Sequence, residues 1–269
     1  MRRCGVPELP EVEAARRSLV RTVVGKTIRR AVVRRPTVLR THSPRGFARA
    51  LRGRSVAAVT RQGKALRFAM DAGSLVFHYM LWGVMRLCRD GRGPDAGSAV
   101  VLEFTDGTAL EFRELQLSTF HWYRARETGS AEERGLDPLG RRCTVDAFRR
   151  ALGARGSVKD ALCNQSRIAG IGNLWAHEIL FRARIRPDQA IERLAGEDVR
   201  RLYRQTRATL RAGVAAGGEP GFHDVLGRGG RARLAVYGRA GQRCRRCGAP
   251  VRGGRFHGRP TFFCPRCQR

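Results

Sequence analysis

The amino-acid sequence predicts an α+β protein with several domains: an N-terminal β-sandwich with flanking helices, a helical domain and a terminal zinc-binding β-hairpin. Short strand-like runs fill residues 27–123, and the hydrophobic period becomes helical from about Leu136. Two Cys-x2-Cys pairs then close the chain. We expect divisions at residues 1–6 (a non-native extension), 7–128 (the sandwich), 136–233 (the helical domain) and 234–269 (the zinc finger).

The predicted sandwich consists of short β-like runs with helices at its edges. Residues 11–20 place apolar side chains on one helical face after a first turn that carries acidic residues. Ser43-Pro44 is typical of the N-cap and first residue of a short helix, which we expect to end at Leu51. The expected strands are Thr27–Arg34, Ser55–Arg61, Leu66–Met70, Leu75–Leu81, Val100–Phe104, Ala109–Arg113 and Phe120–Tyr123.

The second half of the chain has helical periodicity. A Gly217-Gly218 pair is typical of the end of a helix, and the Gly/Arg-rich residues 227–233 then predict a connector to the last module. The expected helices are Val145–Leu152, Val158–Asn164, Leu174–Arg184 and Glu197–Ala215.

The charge balance indicates the class of partner. The chain has 53 basic and 23 acidic residues, a net charge of +30, and a surface of this kind favours nucleic acid. A G+C-rich genome also raises arginine content, so codon bias is an alternative source of part of the excess. No apolar run approaches the ~20 residues of a membrane span, and the start lacks the core of a secretory signal. We therefore expect a cytoplasmic protein with no membrane partner.

Lysine is almost absent from this basic chain. Only Lys26, Lys64 and Lys159 are lysines, whereas the other fifty basic residues are arginines. Because arginine serves well for general phosphate contact, a retained lysine hints at a site that needs a compact ammonium group. Chance retention is the alternative for so few residues.

Four of the eight cysteines have the spacing of a metal site. The pattern is Cys244-x2-Cys247-x16-Cys264-x2-Cys267, which can supply four thiolates to one tetrahedral Zn²⁺. Such a zinc ion has no open ligand position and would hold the fold. The remaining cysteines, at positions 4, 88, 143 and 163, have no such spacing and are expected to be buried or incidental.

The run Pro7-Glu8-Leu9-Pro10-Glu11-Val12-Glu13 suggests covalent chemistry. A proline at the start of a chain offers a secondary amine, which can attack the anomeric carbon of a sugar and form a Schiff base. An adjacent carboxyl group can transfer the protons that this step requires. In the sequence as written, however, Pro7 is an interior residue whose nitrogen lies in an amide.

This run and four later ones together resemble the formamidopyrimidine-DNA glycosylase and endonuclease VIII family, whose members remove oxidised bases and nick the strand. The later runs cover residues 61–66, 165–173, 236–239 and 259–264. The resemblance implies a bifunctional glycosylase and abasic-site lyase of base-excision repair with a helix–two-turn–helix in its helical domain. It also implies a monomer that binds damaged double-stranded DNA in the bacterial nucleoid, with one structural zinc as its cofactor.

The resemblance implies roles for residues of the first domain. Pro7 would be the nucleophile, and Glu8 would protonate the ring oxygen of the sugar as the ring opens. Glu11 would help to hold the opened sugar. Lys64 would engage a phosphate and assist strand cleavage.

It also implies DNA contacts in the second half. Asn173 would bind a phosphate at a helix start, Lys159 would add a contact, and Arg259 would grip phosphates beside the lesion from the finger.

The residues that would fill the gap left by the lesion depart from one branch of the family. Glu114–Ser118 lacks the Arg-x-Phe of the formamidopyrimidine branch, whereas Met80, Leu81 and Trp82 stand where endonuclease VIII carries a contiguous wedge. Strand core is the alternative for these three residues. We expect oxidised pyrimidines and abasic sites as substrates through β,δ-elimination, with oxidised purines and formamidopyrimidines as the alternative.

The position of Pro7 leaves two functional hypotheses. Val6 stands where the family has its initiator methionine, and the valine codon GTG is also a bacterial start codon. We therefore expect translation to begin at position 6 and the methionine to be trimmed before Pro7. If residues 1–6 stay attached, the rival hypothesis is a lesion-binding protein without catalysis.

Overall fold

The chain folds into two compact units. The computed structural model describes residues 5–80, 83–89, 94–125 and 135–269. Unit 1 comprises Met1–Glu132 and Gly217–Arg231, and unit 2 comprises Glu133–Ala216 and Ala232–Arg269. The chain therefore returns to unit 1 for a short segment after its longest helix, a path that the sequence divisions did not include.

The described residues form six α-helices and ten strands. The helices are α1 (Leu9–Thr22), α2 (Pro44–Leu51), α3 (Val145–Leu152), α4 (Val158–Cys163), α5 (Asn173–Ala183) and α6 (Gly196–Ala215). The strands are β1 (Ile28–Val33), β2 (Val56–Gln62), β3 (Ala65–Met70), β4 (Gly73–His78), β5 (Val84–Cys88), β6 (Val100–Phe104), β7 (Ala109–Arg113), β8 (Thr119–Arg124), β9 (Arg252–Phe256) and β10 (Arg259–Phe263).

Unit 1 contains two antiparallel four-stranded sheets that share one core. Their strand orders are β1-β6-β7-β5 and β2-β3-β4-β8. Phe112 of the first sheet packs against Phe77 and Phe120 of the second, with ring centroids 5.0 and 4.9 Å apart. Large apolar side chains of this kind dominate the burial energy of a core. These contacts confirm the predicted β-sandwich.

The predicted elements are confirmed except around residues 79–88. The sequence predicts Leu75–Leu81 as one strand, but β4 ends at His78, and the sequence pattern missed β5 at Val84–Cys88. Met80 and Gly83 have φ values of 48° and 138°, which extended strands do not adopt. The chain therefore turns here and re-enters the other sheet as β5.

In unit 2, α4 and α6 pack on α5, whose side chains are almost all buried, and α3 packs on α4 and α6. Gly213 of α6 lies under the indole ring of Trp175, so the two helices approach closely at this point. Among the helices that the described residues form, none combines the length and apolar character that a bilayer crossing requires.

We predict that Gly213→Ala destabilises the protein. An added Cβ would stand 2.8 Å from Cζ3 of Trp175, and overpacking of this kind costs about 1–3 kcal/mol, which exceeds the gain of about 1 kcal/mol in helix propensity. Urea unfolding would measure the change. The control is Gly196→Ala, where the new Cβ meets the flexible guanidinium groups of Arg149 at 3.4 Å and Arg200 at 4.0 Å. Equal stability of the two variants would contradict the packing argument.

Candidate active site and zinc centre

The start of α1 is held by two glutamates. Glu8 is the N-cap and Glu11 the third helical residue, and each side chain accepts a hydrogen bond from the backbone of the other, a capping box. Glu11 also accepts from the backbone N–H of Glu219 at 2.8 Å. A side chain at Gly218, where φ is 96°, would stand 2.9 Å from this carboxylate. Glu11 therefore joins the start of α1 to the segment Gly217–Arg231, and its expected contact with the sugar stays a prediction.

Pro7 lies directly before this cap and is buried. Glu8 beside it is only 4 % exposed. The two preceding described residues, Gly5 and Val6, are exposed, and Gly5 donates its N–H to Oε1 of Glu219 at 3.2 Å. The proposed nucleophile and acid thus share one sheltered position at the end of a helix.

Lys64 lies in the turn between β2 and β3, where Gly63 has a φ of 55°. Arg61 steadies this turn, because it donates to the carbonyl of Gly63 at 3.1 Å and pairs with Glu13 of α1 at 3.5 Å. Burial alone would raise the pKa of Glu13, but the surrounding guanidinium groups lower it below its usual value. The ionised Glu13 therefore holds the Lys64 turn beside the first turns of α1.

Met80, which follows β4, and Leu117, which precedes β8, are apolar residues with exposed side chains. Met80 is 40 % exposed and Leu117 is 50 % exposed. The hydroxyl of Ser118 donates to the carbonyl of Tyr79. Leu117 and Met80 are the chain neighbours of these two residues, so the hydrogen bond brings their backbones close together. Sequence reasoning missed Leu117, because the pattern of residues 114–118 does not distinguish it from the buried Leu115 of the same loop. The other two predicted wedge residues, Leu81 and Trp82, lie outside the described residues.

The segment Gly217–Arg231 is fastened to α1 by a second polar cluster. Ser18 donates to Asp224 at 2.6 Å, and Arg228 donates to both side chains at 2.7 and 2.8 Å. Burial would raise the pKa of Asp224, but these hydrogen bonds lower it. The segment is therefore a fixed part of unit 1, and it includes residues 227–231 of the predicted connector 227–233.

In unit 2, a glutamine shapes the turn that leads to Asn173. Gln165 donates to the carbonyl of Ile171 at 2.6 Å and accepts from the N–H of Gly170 at 2.8 Å. Asn173 then begins α5, and its amide donates to the carbonyl of Pro260 at 3.1 Å. The predicted phosphate ligand is thereby attached to the finger strand β10.

Lys159 is buried, at 1 % exposure. Its ammonium group donates to Thr261 Oγ1 at 2.7 Å and to the carbonyl of Pro260 at 3.3 Å, and burial lowers the pKa of Lys159. The ammonium group of Lys159 is therefore not exposed for the phosphate contact that the sequence predicted. Lys159 and Asn173 support β10 next to Arg259, whose side chain is exposed, and the phosphate contacts expected of Asn173 and Arg259 stay predictions.

Sequence reasoning assigned no role to a pair of polar residues inside α5, His177 and Glu178. Glu178 accepts three backbone hydrogen bonds at 2.7, 3.0 and 3.0 Å from residues 235–237, which lead into the finger. Burial and the nearby Lys159 ammonium lower the pKa of His177 to about 3, so its ring is neutral. The signal was a His-Glu pair in an otherwise apolar helix.

The four predicted zinc ligands converge. The Sγ atoms of Cys244, Cys247, Cys264 and Cys267 all lie within 4.8 Å of one another. The pairs 244–267 and 247–264 are 3.9 and 3.5 Å apart, much longer than a disulfide. Four thiolates at 2.3 Å from a tetrahedral ion would be about 3.8 Å apart, so the arrangement fits zinc. Of the other cysteines, Cys88 and Cys143 are buried, Cys163 is half-buried and Cys4 lies outside the described residues.

Comparison with known families agrees with this architecture. Residues 6–118 match the formamidopyrimidine-DNA glycosylase N-terminal domain, and residues 134–222 match the H2TH domain of the same enzymes. Residues 241–269 match the zinc finger found in FPG and IleRS. The fold and these matches define a DNA glycosylase of base-excision repair with a structural zinc.

Individual relatives match over nearly the whole chain. The formamidopyrimidine-DNA glycosylase of Geobacillus kaustophilus is 35 % identical over 98 % of this chain and all of its own length. The MutM (Fpg) structure from Thermus thermophilus is 34 % identical with a TM-score of 0.86, covering 97 % of this chain and 98 % of its own. A Lactococcus lactis Fpg bound to abasic-site DNA has a TM-score of 0.86 at 27 % identity, covering 97 % and 99 %. The chain belongs to the formamidopyrimidine-DNA glycosylase family.

Removal of zinc should unfold the finger. Because metal binding supplies folding free energy to small metal-bound modules, Cys267→Ser should lose the single zinc and lower the thermal midpoint. Metal analysis and thermal unfolding would measure both effects. Cys163→Ser, a half-buried cysteine outside the cluster, should keep the zinc. Full zinc content in Cys267→Ser would contradict the ligand assignment.

Proposed function

We propose that this chain excises oxidised bases from double-stranded DNA, with pyrimidines favoured, and then cuts the strand at the abasic site. One observation carries this proposal: Pro7 and Glu8 begin α1 at the same end of unit 1 as the Lys64 turn. The Glu13–Arg61 pair holds the two together. Nucleophile, acid and phosphate-binding cation are therefore supplied by adjoining elements.

The amine of Pro7 acts first as the nucleophile, and the iminium ion that it forms then promotes the two eliminations. Its nitrogen attacks C1′ of the damaged nucleotide, the bond from C1′ to the base breaks, and the departing base takes up the proton that the secondary amine loses. Glu8 gives its proton to the ring oxygen as the C1′–O bond opens, which leaves an iminium ion on Pro7. Loss of a C2′ proton then expels the 3′ phosphate, and a second elimination expels the 5′ phosphate. Hydrolysis of the iminium ion frees Pro7.

This chemistry requires a chain that begins at Pro7. The family match starts at residue 6, which supports the hypothesis that the working protein lacks the preceding residues. Among the described residues before Pro7, the contact that removal would break is the hydrogen bond from Gly5 to Glu219. A buried capping box remains to hold the new terminus.

The rival function is lesion binding without catalysis. It applies if Pro7 stays in an amide, because Schiff base formation needs a nitrogen with a free lone pair and a removable proton. The two functions differ in covalent chemistry and agree in DNA affinity.

Borohydride trapping on abasic-site DNA separates them. We expect a chain that begins at Pro7 to form a covalent adduct and the 269-residue chain with intact Met1 to form none. In the shorter chain, Glu8→Gln should slow release of an oxidised base by about 10²–10⁴-fold, the usual contribution of general acid–base catalysis, with DNA affinity kept. Exposed Glu192→Gln is the control. Tight binding without trapping by the shorter chain would contradict the catalytic proposal, and native protein that retains Met1 and binds without trapping would establish the rival.

The proposed preference for pyrimidines rests on two segments that we expect to face the lesion. The loop 114–118 presents Leu117 in place of the Arg-x-Phe of the purine-directed branch. The segment Gly217–Arg231 is fastened to α1 by Glu11 and Asp224, which leaves little chain to cover an extruded purine. Purine lesions are the second candidate, because Lactococcus lactis Fpg has been solved with Fapy-dG as well as with an oxidised pyrimidine.

A panel of duplexes decides between the two substrate classes. We expect single-turnover excision of oxidised pyrimidines to be faster than excision of 8-oxoguanine or formamidopyrimidine by about tenfold, the effect of about 1.4 kcal/mol in the barrier. Leu117→Ala should slow excision from duplex DNA more than Val20→Ala, which removes a similarly exposed apolar side chain from α1. Faster excision of the purine lesions would contradict the preference.

A further inference from the structure

Unit 1 has a strongly basic surface that the proposed chemistry does not use. Two adjoining grooves of about 440 and 750 Å³ flank α2 and share Arg49. Six arginines line them, whereas Glu103 is the single carboxylate residue in the lining. The arginines are Arg29, Arg30, Arg49, Arg52, Arg54 and Arg124. We call these two grooves and their arginines the α2 surface.

The α2 surface lies at the far end of the sandwich from the candidate active site. Strand β2 begins after Arg54 and ends just before the Lys64 turn. In the same sheet, Gly73 pairs with Arg124 at the arginine end, and His78 pairs with Thr119 at the other. A strand rises about 3.3 Å per residue, so the seven residues of β2 separate the two ends by about 20 Å.

Much of the charge on this surface is uncompensated within the protein. Arg29 pairs with Glu103 and Arg54 pairs with Asp71, each at 3.1 Å. In the described part of the chain, no carboxylate pairs with Arg30, Arg49 or Arg52, and all three are exposed. Three unpaired guanidinium groups around one helix repel each other unless an anion neutralises them.

The shape and composition favour a linear polyanion. The combined volume of the two adjoining grooves is larger than one phosphate group needs. A DNA strand, by contrast, presents a charge about every 3.4 Å along its axis. A protein partner would need apolar anchors at the centre of its interface. The large apolar residues that are exposed among the described ones, such as Met80 and Leu117, do not line these grooves.

We propose that the α2 surface binds a second segment of double-stranded DNA while the active site is occupied. Binding there rests on phosphate contacts, so it is independent of sequence and sensitive to salt. A protein with two such surfaces can hold two duplexes at once and pass from one to the other without free diffusion. This proposal concerns DNA binding and does not require that Pro7 react.

The test uses the full chain saturated with an uncleavable abasic-analogue duplex. A second, fluorescently labelled duplex without a lesion is then added, and its binding is followed by anisotropy over a range of salt concentrations. We expect the second duplex to bind. In R30Q/R49Q/R52Q its salt dependence, log K against log[salt], should become shallower by about 2.7, or about 0.9 for each phosphate that an arginine no longer neutralises.

The matched control removes the same charge elsewhere. R142Q/R149Q/R150Q replaces three exposed arginines on and before α3, an eight-residue helix like α2. The control should leave second-duplex binding within about twofold of the unmodified chain, because its three arginines line neither groove of the α2 surface. Equal losses in both triple variants would show that net charge alone acts and would overturn the proposal. Absence of a second duplex, or capture of poly-glutamate in its place, would also overturn it.

Discussion

One buried carboxylate, that of Glu11, connects the parts of unit 1 on which the proposed chemistry depends. It accepts a hydrogen bond from the N–H of Glu8 at 3.0 Å and another from the N–H of Glu219 at 2.8 Å. The first bond fixes the cap that follows Pro7, and the second fixes the segment Gly217–Arg231. A buried carboxylate is costly unless it is hydrogen-bonded, so the loss of either partner would loosen both elements. This constraint also explains why residue 218 is a glycine.

The basic residues of this chain serve different purposes according to their burial. Lys159 is buried and bonded to the finger strand, Arg61 pairs with Glu13 beside the Lys64 turn, and Arg49 is exposed on the α2 surface. The basic residues that give the net charge of +30 therefore include buried ones that stabilise the fold and exposed ones that can bind phosphate. The three-lysine pattern hinted at special sites, and for Lys159 the structure shows a packing role.

Local signals in the sequence predicted most of the fold. Ser43 and Pro44 mark the start of α2, and the two Cys-x2-Cys pairs bring four thiolates together. Contacts between distant residues could not be predicted this way. Ser18 and Asp224 are 206 residues apart, so no local pattern indicates that the segment after α6 returns to α1. The three hydrogen bonds to Glu178 are hidden for the same reason, because their donors lie 57–59 residues further on.

The central claim is that the nitrogen of Pro7 is the nucleophile. Peptide mapping of the borohydride-trapped complex by mass spectrometry tests it most directly, because the sugar remnant marks the atom that attacked C1′. We predict that the remnant is on the N-terminal peptide, with Pro7 as its first residue. A remnant on Lys64, whose turn Arg61 and Glu13 hold beside the start of α1, would contradict the account.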